Sequence, residues 1–458
     1  MKLSSKIALV LALTIFMAGS VLGGRRHRKL PIGAYIKTAK IEILSGEFER
    51  YENAISYLDS LFLNYGPHAE GLSLMSSIYV DYIDKTPGPI NKRPYVEKLV
   101  AYVDTLHMTC ENKEIKDDYR KDCDEYTERA DSTKVKFWRQ FYNAGIEQLT
   151  YLQGLSKDLE TTTDSAVIAF TKNSFQVNID SCIANMELAI MLDPSNTDPY
   201  IAVGNAYEYK KDFHEAVKWL AKGLEKAKDK SNLLISIAYD YVRINEYCEA
   251  IPYFEEYSEL NPTDETTLFN LSICYTNCKQ LDAAYKVYNK ILELNPENYN
   301  VLGNVGNYFN QKARYASDSA RAYREAGNAD KAKEFMALNG QMFDSSGFYF
   351  KKLFEIYPDS IFAAEQYAVI NAIIGKYDVA SIGFERLTVL DPDNKENWTY
   401  LGDCYLNLKK FKKAIPAYEK VIELDPTDKD TMERLRDLYI EVGDNAKKAA
   451  INKKINEL

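Results

Sequence analysis

A chain of 458 residues with a formal charge of −10, 46% hydrophobic and 27% charged residues has the composition of a folded protein. The acidic balance argues against a nucleic-acid binder, which needs a basic face to neutralise phosphates. Length alone suggests about three ordinary domains, unless repeats that pack only on their neighbours replace a central core.

The first residues do not belong to the fold. Lys2 and Lys6 precede an apolar run from Ile7 to Leu22, with small residues at Ala18, Gly19, Ser20, Gly23 and Gly24. The pattern predicts a secretory signal peptide over 1–23, cleaved after Gly23 or Ser20, and hence export to the periplasm or cell envelope. A basic tail (24–33) follows, and its Arg25, Arg26, His27, Arg28 and Lys29 disfavour translocation. An uncleaved membrane anchor at residues 7–22 is therefore the alternative, although 16 apolar residues are short for a span.

Residues 34–110 read as divergent helix pairs. Gly46 ends one helix, and the next carries Tyr51, Ala54, Leu58 and Phe62 on one face. A further helix carries Leu72, Met75 and Tyr79. The loop Thr86-Pro87-Gly88-Pro89 then separates it from a helix running from about Pro94 to His107. The charge-dense stretch 111–134 reads as a partly helical linker. Trp138, Phe141 and Tyr142 open the segment 135–196, whose turn falls late, at Thr161 to Asp164, before Pro194.

Three regular segments occupy 197–298, beginning at Thr197, Ser231 and Glu265 at a spacing of 34 residues. Tyr207, Tyr241 and Tyr275 are equivalent in them, as are Ala216, Ala250 and Ala284. In 299–360 a helix starts with Leu302, Val305, Gly306 and Phe309, but its turn, Gly327-Asn328-Ala329, comes 14 residues late. Pro358 is displaced again, so both helices of this segment, like those of 135–196, are elongated by nearly four turns, roughly 21 Å. Two regular segments fill 361–428, and capping helices close 429–458. The plainest segment starts at Lys395, with Trp398, Leu401, Gly402 and Tyr405 on one helical face. Ala414, Tyr418 and Val421 lie on the next, and Pro426 stops it.

These residues resemble the tetratricopeptide repeat, a 34-residue helix–turn–helix unit with the pattern W-L-G-Y…A…P. The resemblance implies an all-α fold, a right-handed superhelical solenoid of antiparallel helix pairs, two of them elongated. It also implies a concave groove, lined by the first helix of each pair, that binds peptide segments of other proteins. Carried over by position, the groove residues are Asn205, Tyr209, Tyr239, Arg243, Phe269, Ile273, Asn277, Asn307, Asn310 and Gln311. Further along they are Glu396, Asp403, Asn407, Glu433, Asp437 and Glu441. These positions lack the basic cluster with which the family's chaperone-tail clamps hold carboxylates. Asn205, Tyr239, Phe269, Ile273, Asn277, Asn307 and Asn310 are the candidate partner-binding residues, and the acidic C-terminal wall is the competing surface.

Catalysis has little material. His27 lies in the basic tail, His214 in an inter-helix turn, and no G-x-S-x-G, HExxH or phosphate-cradling glycine loop occurs. The expectation is a non-enzymatic scaffold without cofactor, metal or small-molecule substrate. The rival class is an accessory subunit of an envelope enzyme or secretion complex. Cys182, Cys248, Cys274, Cys278 and Cys404 fall within helix pairs and read as small hydrophobes. Cys274 and Cys278 lie one turn apart but have no second pair of ligands nearby. Cys110 and Cys123 border or lie in the charged linker. In an oxidising compartment they suit a disulfide, the alternative being metal ligation with His107.

Overall fold

The computed structural model describes residues 29–161 and 163–457. The expected signal peptide lies outside them. Among the described residues the chain is all helical, without a strand. The helices follow one another in pairs. In the N-terminal half they are α1 (Ile32–Leu44) with α2 (Phe48–Tyr65), and α3 (Ala69–Lys85) with α4 (Pro89–Glu111). Then come α5 (Cys123–Thr161) with α6 (Ser165–Leu192), α7 (Asp198–Tyr209) with α8 (Phe213–Leu224), and α9 (Ser231–Arg243) with α10 (Tyr247–Leu260). Next are α11 (Glu265–Asn277) with α12 (Leu281–Leu294), and α13 (Tyr299–Glu325) with α14 (Ala329–Ile356). The last pairs are α15 (Ile361–Ile373) with α16 (Tyr377–Leu390), α17 (Lys395–Asn407) with α18 (Phe411–Leu424), and α19 (Lys429–Glu441) with α20 (Asn445–Glu457).

The chain divides into two compact units, one up to Tyr253 and one from Phe254. In the first unit Tyr51, Leu58, Leu72, Met75 and Phe137 are fully buried. In the second, Phe350 and Leu353 form one cluster, and Tyr405, Tyr418 and Tyr439 belong to another.

Local chemistry sets the helix ends. Asp264, Asn298, Ser360 and Asp428 each accept a hydrogen bond from the backbone N–H three residues on, capping α11, α13, α15 and α19. Several turns inside pairs pass through a left-handed residue: Lys211, Asn245, Lys279, Gly375, Lys409 and Gly443. The displaced turn of α13 and α14 does the same at Gly327, with φ of 75°. Elongation therefore keeps the ordinary turn and only moves it.

Three expectations need correction. Stretch 111–134 is not a linker of its own. Only 112–122 is irregular, with a short 3-10 turn at Asp117–Tyr119, and Cys123 already begins the 39-residue α5. Apolar residues from Ala130 onward recur on the same helical face as Phe137 and Phe141, and this draws the charged segment into the helix. Second, Pro89 is not loop but the first residue of α4. Its missing N–H would have no partner there, and Pro94 continues the helix. Third, Cys248 and Cys278 are disulfide cysteines rather than small hydrophobes, whereas Cys182, Cys274 and Cys404 are buried thiols.

Cys110 and Cys123 are joined by a disulfide, with Cα atoms 5.7 Å apart. It ties the end of α4 to the start of α5. His107 instead meets Asp131 Oδ1 at 2.9 Å. Among the described residues, no group of three His, Cys, Asp or Glu could hold a metal ion, and no helix is long and apolar enough to cross a membrane.

Candidate functional site

In the second unit a cleft of about 510 Å³ is bounded by α11, α12, α13 and α15. Leu281, Ala284 and Tyr288 of α12 give it an apolar side. Thr276 donates to the Ser272 carbonyl at 2.8 Å, so the hydroxyl of Tyr288, 3.2 Å away, donates to Thr276.

Helix α13 supplies the polar wall. Asn304, Asn307, Gln311 and Arg314 recur at i, i+3, i+7 and i+10, which keeps them on one helical face. Tyr308 stands beside them, stacked on Tyr285 with ring centroids 4.6 Å apart. Its hydroxyl donates to Asp282 Oδ1 at 2.7 Å, and Lys312 reaches the same oxygen at 2.7 Å. Lys312 and then Tyr308 hold the Asp282 carboxyl below its usual range. Burial, reinforced by Asp282, pushes the Tyr308 phenol up. Lys312, Asp282 and Tyr308 thus satisfy one another.

The amides do not. Among the described residues, Asn304, Asn307, Asn310 and Gln311 of α13 and Gln366 of α15 make no side-chain hydrogen bond, although all line the cleft. Asn310 Oδ1 is buried with no partner, a condition uncommon enough in folded proteins to need a reason. Arg314 is exposed and has no ion-pair partner among the described residues. Side-chain amides both donate and accept, so a row of them can match the alternating N–H and C=O groups of an extended backbone whatever its sequence.

The predicted residues divide between the units. The second unit's cleft brings Asn307 and Asn310 together with Gln311. Phe269, Ile273 and Asn277 lie on α11 outside its lining, and Asn277 donates its amide to the Ile273 carbonyl of its own helix at 2.9 Å. In the first unit Asn205 is exposed on α7 and Tyr239 half-buried on α9. Arg243 is held by Glu208 and by Asp240, the latter at 2.8 Å. Sequence reasoning missed Asn304, Arg314 and Gln366. The helical spacing from Asn307 would have found the first two.

A second cleft, about 490 Å³, lies between α15, α16, α17 and α19 on the predicted acidic wall. Of that wall's predicted residues Asp403 and Asn407 line the cleft, and two of its carboxylates are paired. Asp403 accepts from Tyr418 and pairs with Arg434, and Asp437 pairs with Arg436 at 2.9 Å. Tyr377, Phe384, Tyr400 and Leu406 give this cleft an aromatic and aliphatic lining.

Comparison with known proteins agrees with the helix pairs. Residues 396–428 match the tetratricopeptide repeat. Residues 205–324 match the N-terminal tetratricopeptide-repeat region of Psidin. The photosystem I assembly protein Ycf3 of Synechococcus sp. (strain WH7803) is 35% identical over 92 residues, 19% of this chain. The chain spans about half, 53%, of that relative's length. Among solved structures, the chain is similar to a tetratricopeptide repeat protein from Parabacteroides merdae at 16% identity, covering 64% of this chain and 99% of that one, with a TM-score of 0.29. It is also similar to YrrB, described as a tetratricopeptide protein with an unusual peptide-binding site. That match has 23% identity, covers 46% of this chain and 96% of that one, and has a TM-score of 0.28. The fold is all-α, built of tetratricopeptide-like helix pairs with two pairs elongated.

Proposed function

We propose that this protein is an exported, non-enzymatic scaffold that holds an extended polypeptide segment of a partner protein in the second unit's cleft. The observation that carries the reading is the set of five amides, Asn304, Asn307, Asn310, Gln311 and Gln366, that line one cleft with no hydrogen-bond partner among the described residues. Polar groups left unmatched at a binding surface cost affinity, and a peptide backbone matches these. The relative named as an assembly protein supports a role in bringing other proteins together.

Export is supported by the apolar leader, the Cys110–Cys123 disulfide and the two further disulfide cysteines, since such bonds persist mainly in oxidising compartments. The test places a photo-crosslinking residue at Asn307 and, as a control, at the exposed Lys351 of α14, in the native host. Crosslinks to a protein from position 307 and none from 351 are expected. Equal crosslinking from both would refute the cleft as the site. Amino-terminal sequencing of the same material should begin near residue 24, and recovery of Met1 in the membrane fraction would favour the anchor.

A further inference from the structure

We infer that the bound segment carries a carboxylate next to the stretch whose backbone the amides hold, and that Arg314 reads it; this rests on the proposed peptide site. The regular first helices α11, α15 and α17 have 13 residues, whereas α13 has 27. Counting from Tyr299, the ordinary length ends at Gln311, so Arg314 stands on the elongation, where a regular first helix has already ended in its turn. It still lines the same cleft, about 4.5 Å along the helix from Gln311 and on the same face.

Every other charge close to Arg314 on its helix has a partner. Lys312 binds Asp282 at 2.7 Å, and Asp318, one turn on, binds Arg321 at 2.8 Å. Arg314 alone keeps its guanidinium unneutralised at the cleft, in a chain of net charge −10. A planar guanidinium beside a wall of neutral amides favours a carboxylate by charge and by paired hydrogen bonds. The amides recognise backbone without regard to sequence, so selectivity at this cleft comes from the elongated part of α13. A side-chain carboxylate or a chain terminus offers the same group.

The experiment is selection of random 12-residue peptides on the whole mature protein, followed by affinity measurement of the selected peptides made with free and with amidated C-termini. Enrichment of Asp and Glu is expected, with a loss of about tenfold or more for Arg314→Gln and a reversal toward Lys and Arg for Arg314→Glu. Loss on amidation alone would assign the carboxylate to the terminus, and loss on Asp→Asn or Glu→Gln in the peptide would assign it to a side chain. Selected peptides without acidic enrichment, bound equally by Arg314→Gln, would overturn the role of Arg314 and leave the amide cleft standing. Failure to select any peptide, or peptides whose binding ignores Asn307→Ala with Gln311→Ala, would overturn the cleft itself. Arg314 is exposed and unpaired, so its variants should keep the wild-type circular dichroism.

Discussion

Each unit carries one elongated helix pair, and the two pairs are closed by the same device built from different side chains. In the second unit Gly306 of α13 faces Phe350 of α14, and a Cβ added there would lie 2.6 Å from the ring. Ser346, one turn before Phe350, donates its hydroxyl to the Gly306 carbonyl at 2.9 Å. In the first unit Gly145 of α5 faces Met186 of α6, where an added Cβ would lie 2.5 Å from the terminal methyl. There Cys182, again one turn before, makes the bond, its thiol 3.4 Å from the Gly145 carbonyl. Beyond the glycine the pairs diverge. The second unit continues with buried Ala313, Ala316 and Ala320, while the first buries Leu152 and Leu155. A glycine contact fixes how closely two long helices approach, and the residue facing it decides how rigid that closure is.

The largest effects should test that difference. Phe350→Ala should destabilise the α13–α14 pair by about 3–5 kcal/mol, since a fully buried ring is lost. Gly306→Ala should cost about 1–3 kcal/mol, because the aromatic ring cannot yield. Gly145→Ala should cost less, under about 1 kcal/mol, because the flexible end of Met186 can move and alanine favours the helix. Repeat proteins open locally, so hydrogen exchange in each pair is the measurement. Equal losses at the two glycines would remove the distinction between rigid and flexible closure.

The disulfide gives the first unit a second feature of its own. Cys110→Ser with Cys123→Ser should lower protection at the start of α5 by up to about 3 kcal/mol and leave α13 unchanged. The units also differ in how pH acts on them. Asp240 is fully buried in the first unit, and its Oδ2 has no partner. Burial, with Glu208 adding to it, raises its pKa to about 7 although Arg243 pulls it down. The folded form therefore holds a proton that the unfolded chain has released. Stability contributed by this group is complete below about pH 4 and falls as pH rises toward 7. Asp240→Asn should flatten that slope and stabilise the first unit at pH 8, read by hydrogen exchange in α9.

Fold and site were legible in the sequence to different degrees, for physical reasons. Helix pairs are written in local spacing. Tyr207, Tyr241 and Tyr275 recur at 34 residues, and the displaced Gly327 announces the elongation because a left-handed turn residue can be recognised anywhere. The reach of α5 back to Cys123 was not legible, since charged residues on a solvated helical face look like a linker until the buried face is known. At the site, Asn307 and Asn310 followed from the repeat register, but Arg314 lies where a regular first helix has already ended in its turn. Charge read along a chain omits partners such as Arg434, 31 residues from Asp403 in sequence, so the sequence did not show which of the wall's carboxylates are paired. For Cys248 and Cys278, helical spacing indicates burial but says nothing of oxidation.

The smallest effect concerns the tyrosine at the eleventh position of α9, α11, α17 and α19, where α15 has Asn371 instead. In the second unit Tyr275, Tyr405 and Tyr439 are buried, and each donates its hydroxyl to a glutamate 20 residues earlier on the preceding second helix: Glu255, Glu385 and Glu419. The bond joins one helix pair to the next. It recurs because burial of the ring brings the phenol to the edge of the interface, where a carboxylate can still be solvated. In the first unit the arrangement fails twice. Tyr241 has Ala221 at the matching position and stacks instead on Tyr253, 5.8 Å between centroids. Tyr207 has Glu187, but Arg93 binds that carboxylate at 2.7 Å. Replacing Tyr275 or Tyr405 with Phe should therefore weaken local protection by about 0.5–1.5 kcal/mol, the ordinary net value of a hydrogen bond. Little more is expected, because Glu255 and Glu385 are exposed and water replaces the lost donor. Tyr241→Phe should change protection by no more than a few tenths of a kcal/mol, as expected where no buried partner is left behind. Hydrogen exchange in α9, α11 and α17 reads all three substitutions. Unchanged protection in Tyr275→Phe and Tyr405→Phe would show that the ring, rather than its bond to glutamate, joins neighbouring pairs, and a loss at Tyr241 equal to that at Tyr275 would show that the hydroxyl acts without a glutamate partner.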